Sequence, residues 1–188
     1  DRKRRLADIA RAEREYETFV VRIRRETPQY AALAHPRASS IAEIRSRLAP
    51  ADALVSYWVG RERSVVWVVT RTGLSSRTLP GRADQDREVA RFRAAIAAGD
   101  VADVQRRGAA LHRTLLDGVD YARTRRLIVV PDGPLWRLPF PALSPDATGQ
   151  WLAHRAAVSV VPSATLLAAL GSGASTGPRQ PGLIFGLE

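Results

Sequence analysis

Apolar and polar positions follow two different periods along this chain, and the places where the period changes mark its elements. Residues 1–27 keep the helical period: Leu6, Ile9, Tyr16, Val20 and Ile23 share one stripe, with Phe19 beside it and Glu13 as a polar break. Arg4, Arg11, Arg14, Arg22 and Arg25 fall on the opposite face. This spacing predicts a helix that docks through its stripe and turns a solvated charged face outward. Arg2, Lys3, Arg4 and Arg5 oppose the helix macrodipole at its start, which predicts that the natural helix begins further upstream. Pro28 ends it. Ser40 with Glu43 three residues later forms a capping-box signature and opens a short helix, Ile41 to Leu48, which Pro50 closes.

The period then shortens to that of strands. Ala53–Val59 and Val65–Thr70 are rich in β-branched and aromatic residues, and the short polar Gly60–Arg63 segment between them reads as a hairpin loop. Thr72-Gly73 turns the chain into a third strand, Leu74–Leu79, whose weak alternation places it near a sheet edge. An antiparallel meander is the simplest arrangement of the three. The helical period returns over Asp84–Ala97, with Val89, Phe92 and Ile96 as core positions. It continues over Val101–Leu116, with Val104, Leu111, Leu115 and Leu116; Gly99-Asp100 separates the two helices.

Leu127–Val130 is an apolar run that stops at Pro131-Asp132-Gly133, as a buried strand does at the end where α/β proteins keep their sites. Trp136–Leu143 follows as an irregular segment between prolines. Ala156–Val161 reads as a further strand, and Pro162-Ser163 starts a helix through Leu170. Residues 171–181 have the composition of a flexible linker, and Gly182–Gly186 begins one more strand.

Composition changes this picture in three ways. Cysteine is absent from all 188 residues, which excludes disulfides, thiolate metal sites and a cysteine nucleophile within the chain. The formal net charge of +10 invites a polyanion partner, but the charge is nearly all arginine in an alanine-rich background, with Lys3 the only lysine. Codon bias in a high-GC genome produces such usage, so nucleic acid is not expected as a partner on this ground. No apolar run approaches the roughly 20 residues that span a bilayer, and no signal-peptide pattern opens the chain, so no membrane partner and a cytoplasmic location are expected. Opening on Asp1 and containing no methionine, the sequence reads as a piece of a longer polypeptide.

The candidate chemical constellations are few. His35 precedes Pro36 in a loop, His112 lies within a helix, and His154 precedes the late strand. No two of them share a metal-binding spacing, so each is read as a structural or surface histidine, and neither metal nor cofactor is expected. No Gly-x-Ser-x-Gly elbow follows a strand. Gly171, Gly173 and Gly177 resemble a phosphate loop only superficially, because they follow a helix and precede a strand, and no Gly-Lys-Ser/Thr is present. Asp132 occupies a strand end, a standard catalytic position. It has no partner acid or base in its motif, and Pro-Asp-Gly is itself turn chemistry, so it is read as a turn residue.

The order of Leu54–Val59, Val65–Val69, LHRTLL at 111–116, LIVVPDGPLWRLPFPAL at 127–143 and WLAHRAAVSVVPSATLL at 151–167 resembles the CHAT domain. That family is similar to caspases and separases and is often fused behind TPR repeats. The resemblance covers residues 40–188, and PDGPLWRLPF and VVPSATLL are its most specific segments. It implies an α/β, caspase-like mixed sheet flanked by helices, with residues 1–38 resembling the end of a TPR array. Residues 39–170 would be the non-catalytic, pseudo-caspase half, 171–181 a linker, and 182–188 the first strand of the protease half.

In the family, a histidine and a cysteine after the second set of strands form the catalytic pair, the cysteine as nucleophile and the histidine as base. Neither motif is present, and His112 and His154 match other family segments, so no catalytic residue is assigned in this chain. The expected partners are its own downstream protease half, upstream TPR repeats, and a protein substrate or activator. As a fragment the chain is expected to be inert as a peptidase, while its parent is expected to be a cysteine peptidase. The competing reading is a stand-alone protein- or nucleic-acid-interaction module that uses the arginine-rich N-terminal helix.

Overall fold

In a computed structural model, the chain is described at residues 11, 15, 16, 18, 19, 21 and 22, and over 38–145 and 149–170. It divides into two units, Asp1–Pro36 with Ala168–Glu188, and Arg37–Leu167. In the first unit, the described residues between 11 and 22 are helical. Arg11 pairs with Glu15 at 2.9 Å, and the Arg22 guanidinium lies 5.6 Å from the Phe19 ring centroid. Tyr16 and Phe19 are exposed. Leu6, Ile9, Val20 and Ile23 of the expected docking stripe, and Arg4, Arg14 and Arg25 of the basic face, lie outside the described residues, as does the expected strand at 182–186.

The second unit starts where the capping signature places a helix. In α1 (Ile41–Arg47) the Ser40 hydroxyl accepts the Glu43 N–H, and the Glu43 carboxylate accepts the Ser40 N–H at 2.6 Å. A meander follows: β1 (Asp52–Val59), β2 (Arg63–Thr70) and β3 (Leu74–Pro80). β1 pairs antiparallel with β2, from Ala53 against Thr70 to Val59 against Ser64, and β2 pairs antiparallel with β3.

Two helices, α2 (Arg82–Ala97) and α3 (Val101–Leu115), then return the chain to β4 (Arg126–Val130), which lies parallel to β1. β5 (Ala157–Val160) adds in parallel beside β4 and leads to α4 (Ala164–Leu170). The order β3-β2-β1-β4-β5 makes a five-stranded mixed sheet with flanking helices, the α/β class that the sequence pattern implies. β3 is an edge strand, as its weak alternation predicts.

Strand alternation divides the core in two. On one face, Ala53, Val55, Tyr57 and Val59 of β1 join Leu127 and Val129 of β4 in one apolar cluster. The helices α2 and α3 close this cluster with Val89, Phe92, Val104, Leu111 and Leu115. On the other face, Leu54, Val69, Ile128 and Val130 pack with Ile44 and Leu48 from α1 and its cap, and with Ala164 and Leu167 of α4. Full burial of a Val, Leu or Phe side chain contributes about 1.5–3 kcal/mol, so the first and larger cluster dominates stability.

One expected core residue is not in the core. Ile96 is 40% exposed, and the buried positions of α2 are Gln85, Val89, Phe92 and Ala95. Stepping by three and four from Phe92 reaches both Ala95 and Ile96, and the helix turns the smaller residue inward. The Trp136–Leu143 segment is also more ordered than its prolines imply. Two short 3-10 turns, Gly133–Arg137 running into it and Phe140–Ala142 within it, bury Leu135 and Phe140.

Candidate functional site

The carboxyl ends of the parallel strands β1 and β4 are where chemistry is expected in a sheet of this kind. Val59 closes β1 and Val130 closes β4, and Pro131-Asp132-Gly133 leads straight into the first 3-10 turn. Asp132 is the cap of that turn. One of its carboxylate oxygens accepts the Gly133 N–H at 2.7 Å, and the other accepts the Val59 N–H at 2.7 Å. The side chain therefore ties the end of one strand to the turn that leaves its neighbour. Gly133 has φ +52°, the left-handed region that glycine adopts most easily. The turn reading of Asp132 holds, with an added reach to β1 that needs the folded sheet to exist.

Arg82, at the first position of α2, closes the same end. Its backbone N–H donates to the Gly60 carbonyl at 2.9 Å, and its guanidinium donates to the Val59 carbonyl at 3.4 Å. A Cβ on Gly133 would lie 3.1 Å from Arg82 Nη1, so the guanidinium packs against the bare glycine. Arg137 pairs with Asp86. What this strand end offers is a capped carboxylate, a packed guanidinium and an exposed Trp136.

At the opposite end of the same strands, Asp52 is buried and takes a two-pronged contact from Arg126. Nε donates to one carboxylate oxygen at 2.9 Å and Nη2 to the other, which also accepts the Ala49 N–H at 2.8 Å. Burial pushes the Asp52 carboxyl up, but the Arg126 hydrogen bond, the Ala49 N–H and the Arg126 charge together hold it below its ordinary value. Neither residue stands out in sequence. They meet because β1 and β4 start side by side, Asp52 in register with Arg126.

Among the described residues, His112 and His154 do not assemble into a site. His112 is buried in α3 and shares a 2.8 Å hydrogen bond with the Tyr121 hydroxyl, whose ionisation burial pushes up. Close by, burial likewise raises Tyr57, whose hydroxyl donates to the Leu115 carbonyl at 3.0 Å. Arg77 donates to the carbonyls of Thr114 and Asp117. These contacts satisfy the carbonyls that the end of α3 leaves open, which is a structural role. His154 is exposed at the end of a separate 3-10 turn, Leu152–His154. His35, Gly171, Gly173 and Gly177 lie outside the described residues. Among the described residues no group of His, Asp and Glu could hold a metal ion, and no helix is long and apolar enough to cross a membrane.

An open apolar concavity of about 410 Å³ lies between the α2–α3 corner and the later turns, lined by Ile96, Val101, Val104, Pro141, Ala142 and Trp151. It explains the outward Ile96, whose side chain forms part of its wall. Its walls offer packing and no reactive group.

No curated protein and no solved structure matches the chain. The family model of the CHAT domain does match, over residues 105–188. That span takes in most of α3, β4, the Asp132 turn, β5 and α4, and leaves residues 40–104 outside it. The strand-end motif and the VVPSATLL segment thus lie within the matched span, and over residues 105–188 the chain is similar to the CHAT domain.

Proposed function

We propose that this chain is the non-catalytic N-terminal portion of a CHAT-domain cysteine endopeptidase, and that it acts as structural support for a Cys/His half supplied from outside its 188 residues. The observation that carries this reading is the carboxyl end of β1 and β4, where both Asp132 oxygens serve backbone donors. Each oxygen holds a backbone N–H from a different element, which fits a brace between two strands. The absence of cysteine from the chain supports the same conclusion, because the family's nucleophile is a thiol.

The partners that follow are the chain's own downstream protease half, an upstream TPR array, and a protein substrate or activator of the parent. Support here has a physical meaning. A five-stranded sheet closed on one face by α2 and α3 offers a rigid frame against which a second sheet can be held. The test is reconstitution. The 188-residue chain and the polypeptide segment that continues past Glu188, expressed as separate pieces, should co-purify as a one-to-one complex. Two pieces that each fold and never associate would overturn the proposal.

A further inference from the structure

Among the described residues, the second face of the sheet is covered at one end. Alternation and register put Leu54, Ser56 and Trp58 of β1 on this face, with Arg63, Val65, Trp67 and Val69 of β2 and Leu74, Ser76 and Thr78 of β3. The Leu54–Val69 row lies under the cluster formed with α1 and α4. Beyond it the face opens. Ser56 pairs with Trp67, which pairs with Ser76, and Trp58 pairs with Val65, which pairs with Thr78. Trp58 and Trp67 are therefore diagonal neighbours, at about 7–8 Å on a sheet.

Trp58 is 52% exposed, and Trp67 is partly open. A Cβ on Gly60 would lie 2.6 Å from Trp58 Cη2, so the indole lies over the bare glycine and is steadied there.

The charge around these rings is mostly positive. The acidic β1–β3 residue of this parity, Asp52, is buried at the far end against Arg126, and Arg63 lies on the open part beyond Val65. The adjoining loop adds exposed Arg61 against a single acid, Glu62. Among the described residues, neither Arg61 nor Arg63 has an ion pair or a hydrogen bond from its side chain. Ser76 and Thr78 add exposed hydroxyls. A flat face with two indoles, unpaired guanidinium groups, hydroxyls and no carboxylate on its open part complements a partner that is flat, aromatic and anionic.

We infer that this sheet face binds single-stranded nucleic acid, with bases stacked on Trp58 and Trp67 and phosphates held by Arg63 and Arg61. Unstacked bases suit the rings because each base has a π-face, and guanidinium groups follow the backbone without reading sequence. A duplex buries its base faces and could use only the arginines. The inference is independent of the proposed protease-supporting role and uses different residues. It also differs in place from a reading based on the arginine-rich N-terminal helix.

The test is fluorescence anisotropy of labelled oligothymidylate and oligouridylate with the full 188-residue chain across a salt series. Binding is expected to weaken about tenfold in Trp58→Ala. It should be largely restored in Trp58→Phe, which keeps a stacking ring. Arg63→Gln should lower the log–log salt slope by about one. Trp58 is exposed, so its variant should unfold at a urea concentration close to that of the wild type. Three results would each overturn the inference: no binding at low salt, binding unchanged in Trp58→Ala, or binding to polyglutamate and duplex DNA as tight as to the single strand. The last would mark the face as a general attractor of acidic chains, including acidic peptides.

Discussion

The two faces of one sheet have been used in opposite ways. Toward α2 and α3, every second residue of β1 from Ala53 to Val59 enters a sealed cluster with Phe92, Leu111 and Leu127. Toward α1 and α4, the same strand starts in a core at Leu54 and ends in solvent at Trp58. Because side chains alternate along a strand, β1 serves both faces at once, and a residue's role follows from its parity and its distance from the covering helices. Large apolar residues in adjacent positions thus need not share a purpose. Tyr57 closes the end of a helix, and Trp58 faces outward.

Substitutions can break this comparison. The largest effect is expected on the sealed face. Phe92 has no exposed surface, so Phe92→Ala should cost about 3–5 kcal/mol by urea unfolding, and a loss under 1 kcal/mol would mean that the face is not sealed.

Next come the two ends of the parallel pair. Asp52→Asn should cost about 1–3 kcal/mol, because it removes a buried acceptor from Arg126, itself about half exposed and so partly screened. The same contact sets a pH dependence. The Asp52 carboxyl is held below its ordinary value of 3.8, so its contribution is present above that pH and is lost as pH falls through the lower, folded value. A thermal melt series should show wild type losing more stability than Asp52→Asn below about pH 4; parallel curves would remove Asp52 from the account of acid unfolding.

Asp132→Ala should cost about 1–2 kcal/mol, since it releases the Val59 and Gly133 N–H groups together. Hydrogen exchange at Val59 should rise in that variant, and an unchanged rate would show that the strand end does not depend on this carboxylate. The smallest effect belongs to the open face. Trp58→Ala should move stability by no more than about 1 kcal/mol, and a loss comparable with Phe92→Ala would mean that Trp58 is core.

Much of this frame was legible in the sequence, because its signals are local. The Ser40–Glu43 capping box, the β-branched runs of β1 and β2, and the stop at Pro131-Asp132-Gly133 each depend on neighbouring residues alone. The sites depend on pairing, which no local pattern carries. Asp52 meets Arg126, and Asp132 reaches Val59, only because β4 returns beside β1 after two helices. Trp58 and Trp67 share a face only through the β1–β2 register. Ile96 shows the same limit within a helix, where a three- and four-residue spacing leaves two candidates for one inward position and the packing chooses Ala95. The basic composition pointed to no partner, since it did not say which arginines lack a carboxylate.

The most direct test of the supporting role is hydrolysis of a fluorogenic peptide library by the 188-residue chain alone and by the polypeptide that continues past Glu188. The predicted result is no turnover above buffer by the chain alone, and turnover abolished by thiol alkylation in the longer polypeptide. Turnover by the 188-residue chain itself, unaffected by alkylation, would contradict that role and place a cysteine-independent active site within this sheet.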